Sequence, residues 1–164
     1  LKVLNPLGRV CDMLASEPKI EPRPGDAPKL RPERITGHIV FKDVHFTYPS
    51  EPLKQILFGL SFEVRPGERV AFVGSTGCGK SSSIKLIERF YAPQSGSITL
   101  DGRSLEDYDL YHLRRHMSVV AQDNMLFSTT LRENITYGLP RERRESIEDW
   151  EIEEACRKAN AWGF

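Results

Sequence analysis

The residue pattern with the clearest chemistry is a glycine-rich stretch that ends in a lysine and a serine. Its eight positions are Gly74-Ser75-Thr76-Gly77-Cys78-Gly79-Lys80-Ser81. Glycines let the backbone turn its N–H groups toward an anion with no Cβ in the way. The lysine would supply a point charge to phosphate oxygens, and the serine hydroxyl a ligand to Mg²⁺. The spacing therefore predicts a site for a nucleoside triphosphate.

The segments on either side of this stretch have the patterns that such a site needs. Residues 69–73 form a short apolar run that indicates a buried strand of a parallel sheet. Residues 81–90 carry apolar side chains at helical spacing, and this helix would direct the positive end of its dipole at the phosphates. A simple strand-to-helix turn is the alternative, but it does not need Gly-Lys-Ser in this order. We predict nucleotide contacts for the whole stretch and for the serine after it: Gly74, Ser75, Thr76, Gly77, Cys78, Gly79, Lys80, Ser81 and Ser82.

Composition restricts the remaining possibilities. The 164 residues carry 23 basic and 23 acidic side chains, so charge gives no case for nucleic acid as a partner. The three cysteines are widely spaced, which suits reduced thiols inside a cell better than a disulfide framework. No apolar run approaches the roughly 20 residues of a membrane-spanning helix. We expect a soluble piece of about one domain, and a start at Leu1 instead of methionine fits a fragment.

The chain before the loop has two distinct parts. Residues 5–14 can form a short helix, with a disordered end as the alternative, and residues 17–34 mix prolines and charges as a linker does. Residues 38–64 then alternate apolar and polar side chains with a period of two, around Phe41, Phe46 and Phe62. This pattern predicts antiparallel strands with one wet face.

After the loop, the pattern predicts alternating strands and helices. Residues 98–100 are expected to be a strand, 105–115 a weak helix, and 117–121 a second buried strand that ends at Gln122. A polar residue at the end of a parallel strand lies where such sheets bind ligands, although an ordinary loop glutamine is the alternative. Further on we predict a helix over residues 130–135 and a solvated charged loop over residues 141–145. A last helix is predicted to start near residue 146 or 149 and to end near residue 160. Its one apolar stripe would pack into a core.

Together these residues resemble the nucleotide-binding domain of an ATP-binding cassette transporter of the multidrug-resistance and peptide exporter type. The resemblance extends from about Leu7 to Phe164. The motifs that carry it are Val44-His45-Phe46-Thr47-Tyr48-Pro49-Ser50, the stretch from Gly74 to Ser81, Gly96-Ser97-Ile98-Thr99-Leu100-Asp101-Gly102, Leu113-Arg114, Val119-Val120-Ala121-Gln122, and Leu126-Phe127-Ser128-Thr129-Thr130-Leu131-Arg132-Glu133-Asn134-Ile135-Thr136-Tyr137-Gly138.

The resemblance implies an α/β fold and assigns roles to particular residues. The fold would be a phosphate-loop NTPase core with a RecA-like parallel sheet and an antiparallel β subdomain, truncated before the signature helical region is complete. The cofactors would be ATP and Mg²⁺. Tyr48 would stack on adenine, with a strand-end tyrosine that fills the core as the alternative. Lys80 would neutralise phosphate charge, Ser81 and Gln122 would contact Mg²⁺, and Gln122 would also position the attacking water.

The same resemblance implies partners and a location. Residues 1–36 would be a helix end and linker from a preceding membrane domain, and 37–164 the N-terminal portion of the cassette domain. Two such domains would close head to tail, and residues 122–134 would face coupling helices of a transmembrane domain. The domain would lie on the cytoplasmic side of a membrane, held there by segments that are absent from this chain.

The sequence also departs from the family pattern. It contains no Leu-Ser-Gly-Gly-Gln signature loop, no apolar strand ending in Asp-Glu and no switch histidine. We therefore expect ATP hydrolysis in the full protein but binding without hydrolysis by this chain alone. A non-catalytic nucleotide-binding or docking module, or another phosphate-loop NTPase, is the alternative.

Overall fold

The computed structural model describes residue 20 and residues 29–122 and 125–162. The chain divides into two compact units, Leu1–Ser118 and Val119–Phe164. The predicted helix over residues 5–14 and most of the proline-rich segment lie outside the described residues.

Within the described part of the first unit, four strands form an antiparallel sheet. β1 (Ile39–Thr47) lies between β2 (Gln55–Val64) and β3 (Ser95–Leu100), and the short β4 (Arg103–Ser104) pairs with the free edge of β3. The antiparallel strands predicted from the period-two pattern are confirmed. Two predicted strands, around Phe41 and Phe46, form the single strand β1.

The pairing of β1 with β2 shifts register at three places, and the first of them lies around Asp43. The φ of Asp43 is 49°, and the pairing with β2 shifts between Phe41 and Val44. The Asp43 N–H donates a hydrogen bond to Ser61 Oγ at 2.8 Å, so the irregular position keeps a partner for its backbone. A Cβ at Gly96 would lie 2.2 Å from the Asp43 carbonyl oxygen, and therefore only glycine fits on β3 opposite this bulge.

The hydrophobic core of this unit lies between the sheet and two helices. α1 (Lys80–Ile87) follows the glycine-rich loop directly and buries Leu86, whereas α2 (Leu110–Arg115) buries Leu113. α1 is shorter than the predicted helix, since Arg89 has a φ of 54°, outside the helical region. The core residues are Phe41, Val44, Phe46, Leu57, Leu86, Ile98, Leu100, Leu105, Tyr108 and Leu113.

The helix predicted over residues 105–115 is divided in two. Leu105–Asp107 form a single 3₁₀ turn, and Tyr108 and Asp109 are extended before α2 begins. Tyr108 is fully buried, and its hydroxyl donates a hydrogen bond to the Leu100 carbonyl at 2.7 Å. The helix must be interrupted at Tyr108 and Asp109, because the ring is buried there and Asp109 caps α2. Helical spacing of apolar residues alone does not reveal this interruption.

The end of the proline-rich segment is packed against later residues of the first unit. The Leu30 N–H donates to the Asp107 carbonyl, and the Leu30 carbonyl accepts from the Asp109 N–H. Asp101 accepts hydrogen bonds from the backbone N–H groups of residues 36, 37 and 38. Composition did not indicate these contacts, because they depend on groups about 65 to 80 residues away in sequence.

The second unit contains three short helices within its described residues. They are α3 (Leu131–Thr136), α4 (Arg141–Ser146) and α5 (Asp149–Lys158). The predictions of α3 and α5 are confirmed, and Thr130 and Glu133 form a capping box that begins α3. The loop predicted over residues 141–145 is wrong, because Pro140 precedes a full helical turn with an Arg141–Glu145 ion pair.

The predicted core packing of α5 is also wrong for the described residues. None of its side chains is buried, and Ala155 on the predicted stripe is exposed. An amphipathic pattern predicts which face can be covered, whereas burial requires a neighbouring element. No helix that the structure describes combines the length and apolar character needed to cross a lipid bilayer.

Two predicted parallel strands do not form in this structure. Residues 69–73 and 117–121 have no strand pairing, and Val73 and Val120 are 92% and 91% exposed. A buried parallel strand needs partners along its edges, and no described segment pairs with either run. These residue types favour the strand, but pairing depends on neighbours that local sequence does not contain.

Candidate functional site

The glycine-rich loop is held close to the sheet at its last glycine. Gly79 is the N-cap of α1 and has a φ of 101°, in the left-handed region. A Cβ at this position would lie 2.4 Å from Leu57 Cδ2 on β2. Glycine therefore allows both the turn and the close approach to the core. This close approach fixes the position of the loop end and of the N-terminus of α1, which follows it.

The middle of the loop is open to solvent. Gly77 has a φ of 84°, and a Cβ there would meet no atom within 4 Å. The residues from Gly74 to Cys78 are all exposed. An anion could approach these backbone N–H groups and the first turn of α1, which contains no acidic residue.

Lys80 places its ammonium group over this loop. Its Nζ donates hydrogen bonds to the carbonyl oxygens of Gly74 and Ser75, each at 2.8 Å, and lies 3.6 Å from Cys78 Sγ. These contacts hold a positive charge beside the exposed N–H groups. The arrangement provides the donors and the charge that a polyphosphate requires.

The two serines after Lys80 have different environments. Ser81 is exposed, and its hydroxyl makes no hydrogen bond with the described residues. Ser82 is buried, and its hydroxyl bonds to the Tyr48 hydroxyl at 2.9 Å. The predicted metal ligand Ser81 is thus accessible, whereas the Ser82 side chain is engaged with Tyr48 and could contact a ligand mainly through its backbone.

Tyr48 lies beside the loop in the folded unit. Its ring makes edge contacts with Phe46 at 4.8 Å and Tyr91 at 5.1 Å between centroids, and Lys85 Nζ lies 5.5 Å from its centre. The ring is partly buried against the core. Tyr48 is expected either to stack on adenine or to fill the core at the end of a strand. These contacts fit both interpretations, because they fix the ring and still leave part of it accessible.

One cleft joins Tyr48 to the loop. Its volume is about 320 Å³. It is lined by Tyr48, Ile56, Thr76, Gly77, Gly79, Lys80, Ser81 and Ser82. The same cleft is therefore lined by an aromatic ring, by the glycine-rich loop and by an accessible hydroxyl group. Sequence analysis missed Ile56 and Lys85, which come next to Tyr48 only through the pairing of β1 with β2 and the direction of α1.

The residues of this cleft fit ATP with Mg²⁺. The loop offers an open backbone position at Gly77, Lys80 offers positive charge, and Ser81 offers a hydroxyl oxygen. Mg²⁺ bound together with phosphates needs only one or two protein oxygens, since phosphate and water supply the others. Within the described residues no group of three or more His, Cys, Asp or Glu side chains forms a metal site of another kind.

Gln122 belongs to the second unit. It is exposed and lies in a bend after residues 117–121. Its predicted contacts with Mg²⁺ and water therefore stay a prediction from the sequence motif.

Exposed apolar side chains precede a bend that Asn134 holds in place. Asn134 accepts a hydrogen bond from the Phe127 N–H at 2.8 Å and donates to the carbonyls of Phe127 and Thr130. Met125 and Leu126 are 90% and 75% exposed. The asparagine fixes the backbone between Phe127 and Thr130, and the apolar side chains just before it are suited to contact another apolar surface.

Comparison with known proteins identifies relatives of the whole chain. A family model described as "ABC transporter" matches residues 57–164. The chain is 42% identical over all 164 residues to ABC transporter B family member 6 of Arabidopsis thaliana, of which it covers 11%. It is 40% identical over 148 residues, 90% of the chain, to ABC-type transporter MDR1 of Aureobasidium melanogenum and covers 11% of it. It is 42% identical over 133 residues, 81% of the chain, to ATP-binding cassette sub-family B member 5 of Mus musculus and covers 10% of it.

Proposed function

Since this chain belongs to the ABC transporter family, we propose that it binds Mg-ATP as part of the nucleotide-binding domain of an ATP-driven membrane exporter. The chain spans about a tenth of the length of the curated relatives reported above. The observation that carries the proposal is the cleft that joins Tyr48 to the glycine-rich loop and Ser81. A triphosphate site with an adjacent aromatic ring is suited to a purine nucleotide.

Each part of the cleft has a distinct task in this proposal. The backbone N–H groups of residues 74–79 and the N-terminus of α1 would bind the phosphates. Lys80 would release its loop carbonyls and pair with the β- and γ-phosphate oxygens. Ser81 would hold Mg²⁺, which supplies charge neutralisation at the phosphates. Tyr48 would support the adenine ring.

Hydrolysis would need groups besides these. By the family resemblance, Gln122 would contact Mg²⁺ and orient the attacking water. The signature loop, a catalytic glutamate and a switch histidine are not among the 164 residues. Phosphoryl transfer depends on a positioned water and on charge stabilisation. We therefore propose hydrolysis for the full protein and nucleotide binding alone for this chain.

The partners follow from the same proposal. Two nucleotide-binding domains would close head to tail on two ATP molecules, and residues 122–134 would contact coupling helices of a transmembrane domain. The exposed apolar side chains of Met125 and Leu126 support such a contact. Residues 69–73 and 117–121 would become strands of a parallel, RecA-like sheet. The domain would lie at the cytoplasmic face of a membrane.

The test is the affinity of the intact protein for Mg-ATP. Lys80→Ala should weaken binding by about tenfold or more, because a charge-assisted contact contributes about 1.5–3 kcal/mol. Lys54→Ala is the matched control, since the Lys54 side chain is 71% exposed and pairs with Glu51, away from the cleft lining. Equal affinity of both variants for Mg-ATP would refute the proposed site. Stronger competition by GTP than by ATP would indicate a different class of phosphate-loop protein.

A further inference from the structure

α4 ends in a serine, Ser146, with Arg143 three positions and Arg144 two positions before it. The sequence is Arg141-Glu142-Arg143-Arg144-Glu145-Ser146-Ile147. Serine/threonine kinases with acidic substrate clefts select basic side chains at these positions, because a guanidinium pairs with carboxylates in a fixed geometry. An apolar residue, Ile147, follows the serine. The motif has no part in the proposed nucleotide site.

The serine is accessible on a helix that unwinds easily. All residues of α4 from Arg141 to Ser146 are exposed, and none is buried. The helix has only six residues, and its N-cap, Pro140, makes no side-chain hydrogen bond. Ser146 Oγ donates to the Arg143 carbonyl at 3.2 Å, which is a local contact. So short a helix is marginally stable, and a kinase could therefore bind this segment in an extended form at low cost.

The two arginines are available to a partner. Arg144 makes no side-chain hydrogen bond or ion pair with the described residues, and it lines an open cleft beside α3. Arg143 pairs with Glu151, but its side chain is still 47% exposed. The Glu151 side chain is 22% exposed, so the pair is only partly buried, and a kinase carboxylate can compete with Glu151 for the exposed part of the Arg143 guanidinium.

We propose that Ser146 is a phosphorylation site for a serine/threonine kinase that recognises basic substrates. Ser146 Oγ attacks the γ-phosphorus of the kinase-bound ATP, and a new O–P bond forms as the bond from that phosphorus to the β,γ-bridging oxygen breaks. ADP leaves with that oxygen, and the serine proton passes to the catalytic base of the kinase. The modification adds a charge of about −1.5 to −2 at the end of α4.

The new phosphate would lie beside an existing arginine contact. Arg132 donates to the Ile147 carbonyl and to Asp149, so it connects α3 to the junction between α4 and α5. Ser146 immediately precedes Ile147. A dianionic phosphate competes with Asp149 for the Arg132 guanidinium. Amide exchange over residues 147–152 should change on phosphorylation.

A second serine provides an internal comparison. Ser118 is also exposed, and Arg114 and Arg115 stand four and three positions before it, so that His116 occupies the position two before it. However, Arg114 donates to the carbonyls of Glu88 and Arg89 and lies over the Phe90 ring. Its guanidinium is therefore not available to a kinase in the folded protein. Only Arg115 then remains for a kinase at Ser118, whereas Ser146 has arginines at both positions, so Ser146 should be preferred.

The experiment uses the intact protein and the catalytic subunit of cyclic-AMP-dependent protein kinase as the probe. Radiolabelled ATP is added with and without kinase, and labelled peptides are mapped by mass spectrometry. Ser146→Ala and Arg144→Gln should each lower kinase-dependent labelling by about tenfold, as expected for loss of the acceptor or of one charge-assisted contact. Ser118→Ala should leave labelling unchanged.

The outcomes separate the proposal from its rivals. Label at Ser146 that Arg144→Gln reduces supports it. Label at Ser118 or at another residue, labelling of Ser146→Ala equal to that of the unaltered protein, or no kinase-dependent label overturns it. Failure of ATP to bind the cleft at Tyr48 has no bearing on these results, so this inference and the proposed function can fail separately.

Discussion

At the scale of single residues, Tyr48 has two interpretations that a pair of substitutions can separate. Tyr48→Phe keeps the ring and removes the hydrogen bond to Ser82. Tyr48→Ala removes the ring, and stacking on a base contributes about 1–3 kcal/mol. We expect Tyr48→Phe to change the Mg-ATP dissociation constant by less than about twofold, and Tyr48→Ala to raise it by about tenfold.

Inorganic triphosphate is the control ligand for this prediction, because it has no base. If Tyr48 supports adenine, Tyr48→Ala weakens ATP binding and leaves triphosphate binding unchanged. If Tyr48 only fills the core beside Phe46 and Tyr91, the substitution weakens both ligands together and lowers thermal stability. Isothermal titration with each ligand measures the difference.

At the scale of elements, the start of α2 depends on the charge of Asp109. The His112 N–H donates to Asp109 Oδ1 at 2.8 Å, and Arg31 pairs with Oδ2 at 2.8 Å. The backbone hydrogen bond from His112 lowers the pKa of Asp109, burial opposes this shift, and Arg31 adds to it. A carboxyl group whose pKa is lower in the folded state stabilises that state above the unfolded pKa, about 3.9. This stability is lost as the pH falls through the folded pKa.

The prediction concerns how the free energy of unfolding falls at acidic pH. Asp109→Asn keeps an N-cap acceptor and removes the charge, so it should lower stability at pH 7 by up to about 1 kcal/mol and should flatten the loss of stability below about pH 4. Asp107→Asn is the matched control, because Asp107 is exposed and its side chain makes no hydrogen bond in the described part of the chain. Denaturant unfolding at a series of pH values measures both. Parallel pH profiles for Asp109→Asn and the unaltered protein would contradict this role.

Elements also show how far local sequence predicts this fold. The loop at Gly79 and the start of α3 at Thr130 could be predicted, because their patterns encode a backbone conformation or a cap within a few residues. The break at Tyr108 could not, since it follows from burial against Leu100. α4 could not either, because six charged and polar residues carry no periodic apolar signal.

The site shows the same division between local and distant information. Lys80 and Ser81 could be predicted from spacing alone, and the structure brings them to one cleft with Tyr48. Ile56 joins that cleft only because β1 and β2 pair in a particular register. Gln122 was predicted from a motif, and its role depends on the assembly of a sheet, which local patterns do not determine.

At the scale of the whole molecule, Val73 and Val120 show that two strand-like segments require further neighbours. Both side chains are more than nine-tenths exposed, although each belongs to an apolar run. Burying a valine contributes about 1.5–3 kcal/mol, so two exposed runs favour pairing with additional strands. We expect residues 70–73 and 119–121 to form paired, buried strands in the intact protein.

Hydrogen exchange in two forms of the protein tests this expectation. In the 164-residue chain the amides of these segments should exchange rapidly, because they have no strand partners among the described residues. In the intact protein they should be protected to about the same extent as β1, which already pairs on both sides. β1 is the internal reference, since its protection should be similar in both forms if the first unit folds in each. Rapid exchange of residues 70–73 in the intact protein, with β1 protected, would show that the parallel sheet does not form. The glycine-rich loop would then follow an unpaired segment, and the proposed nucleotide site would lack the strand that positions it.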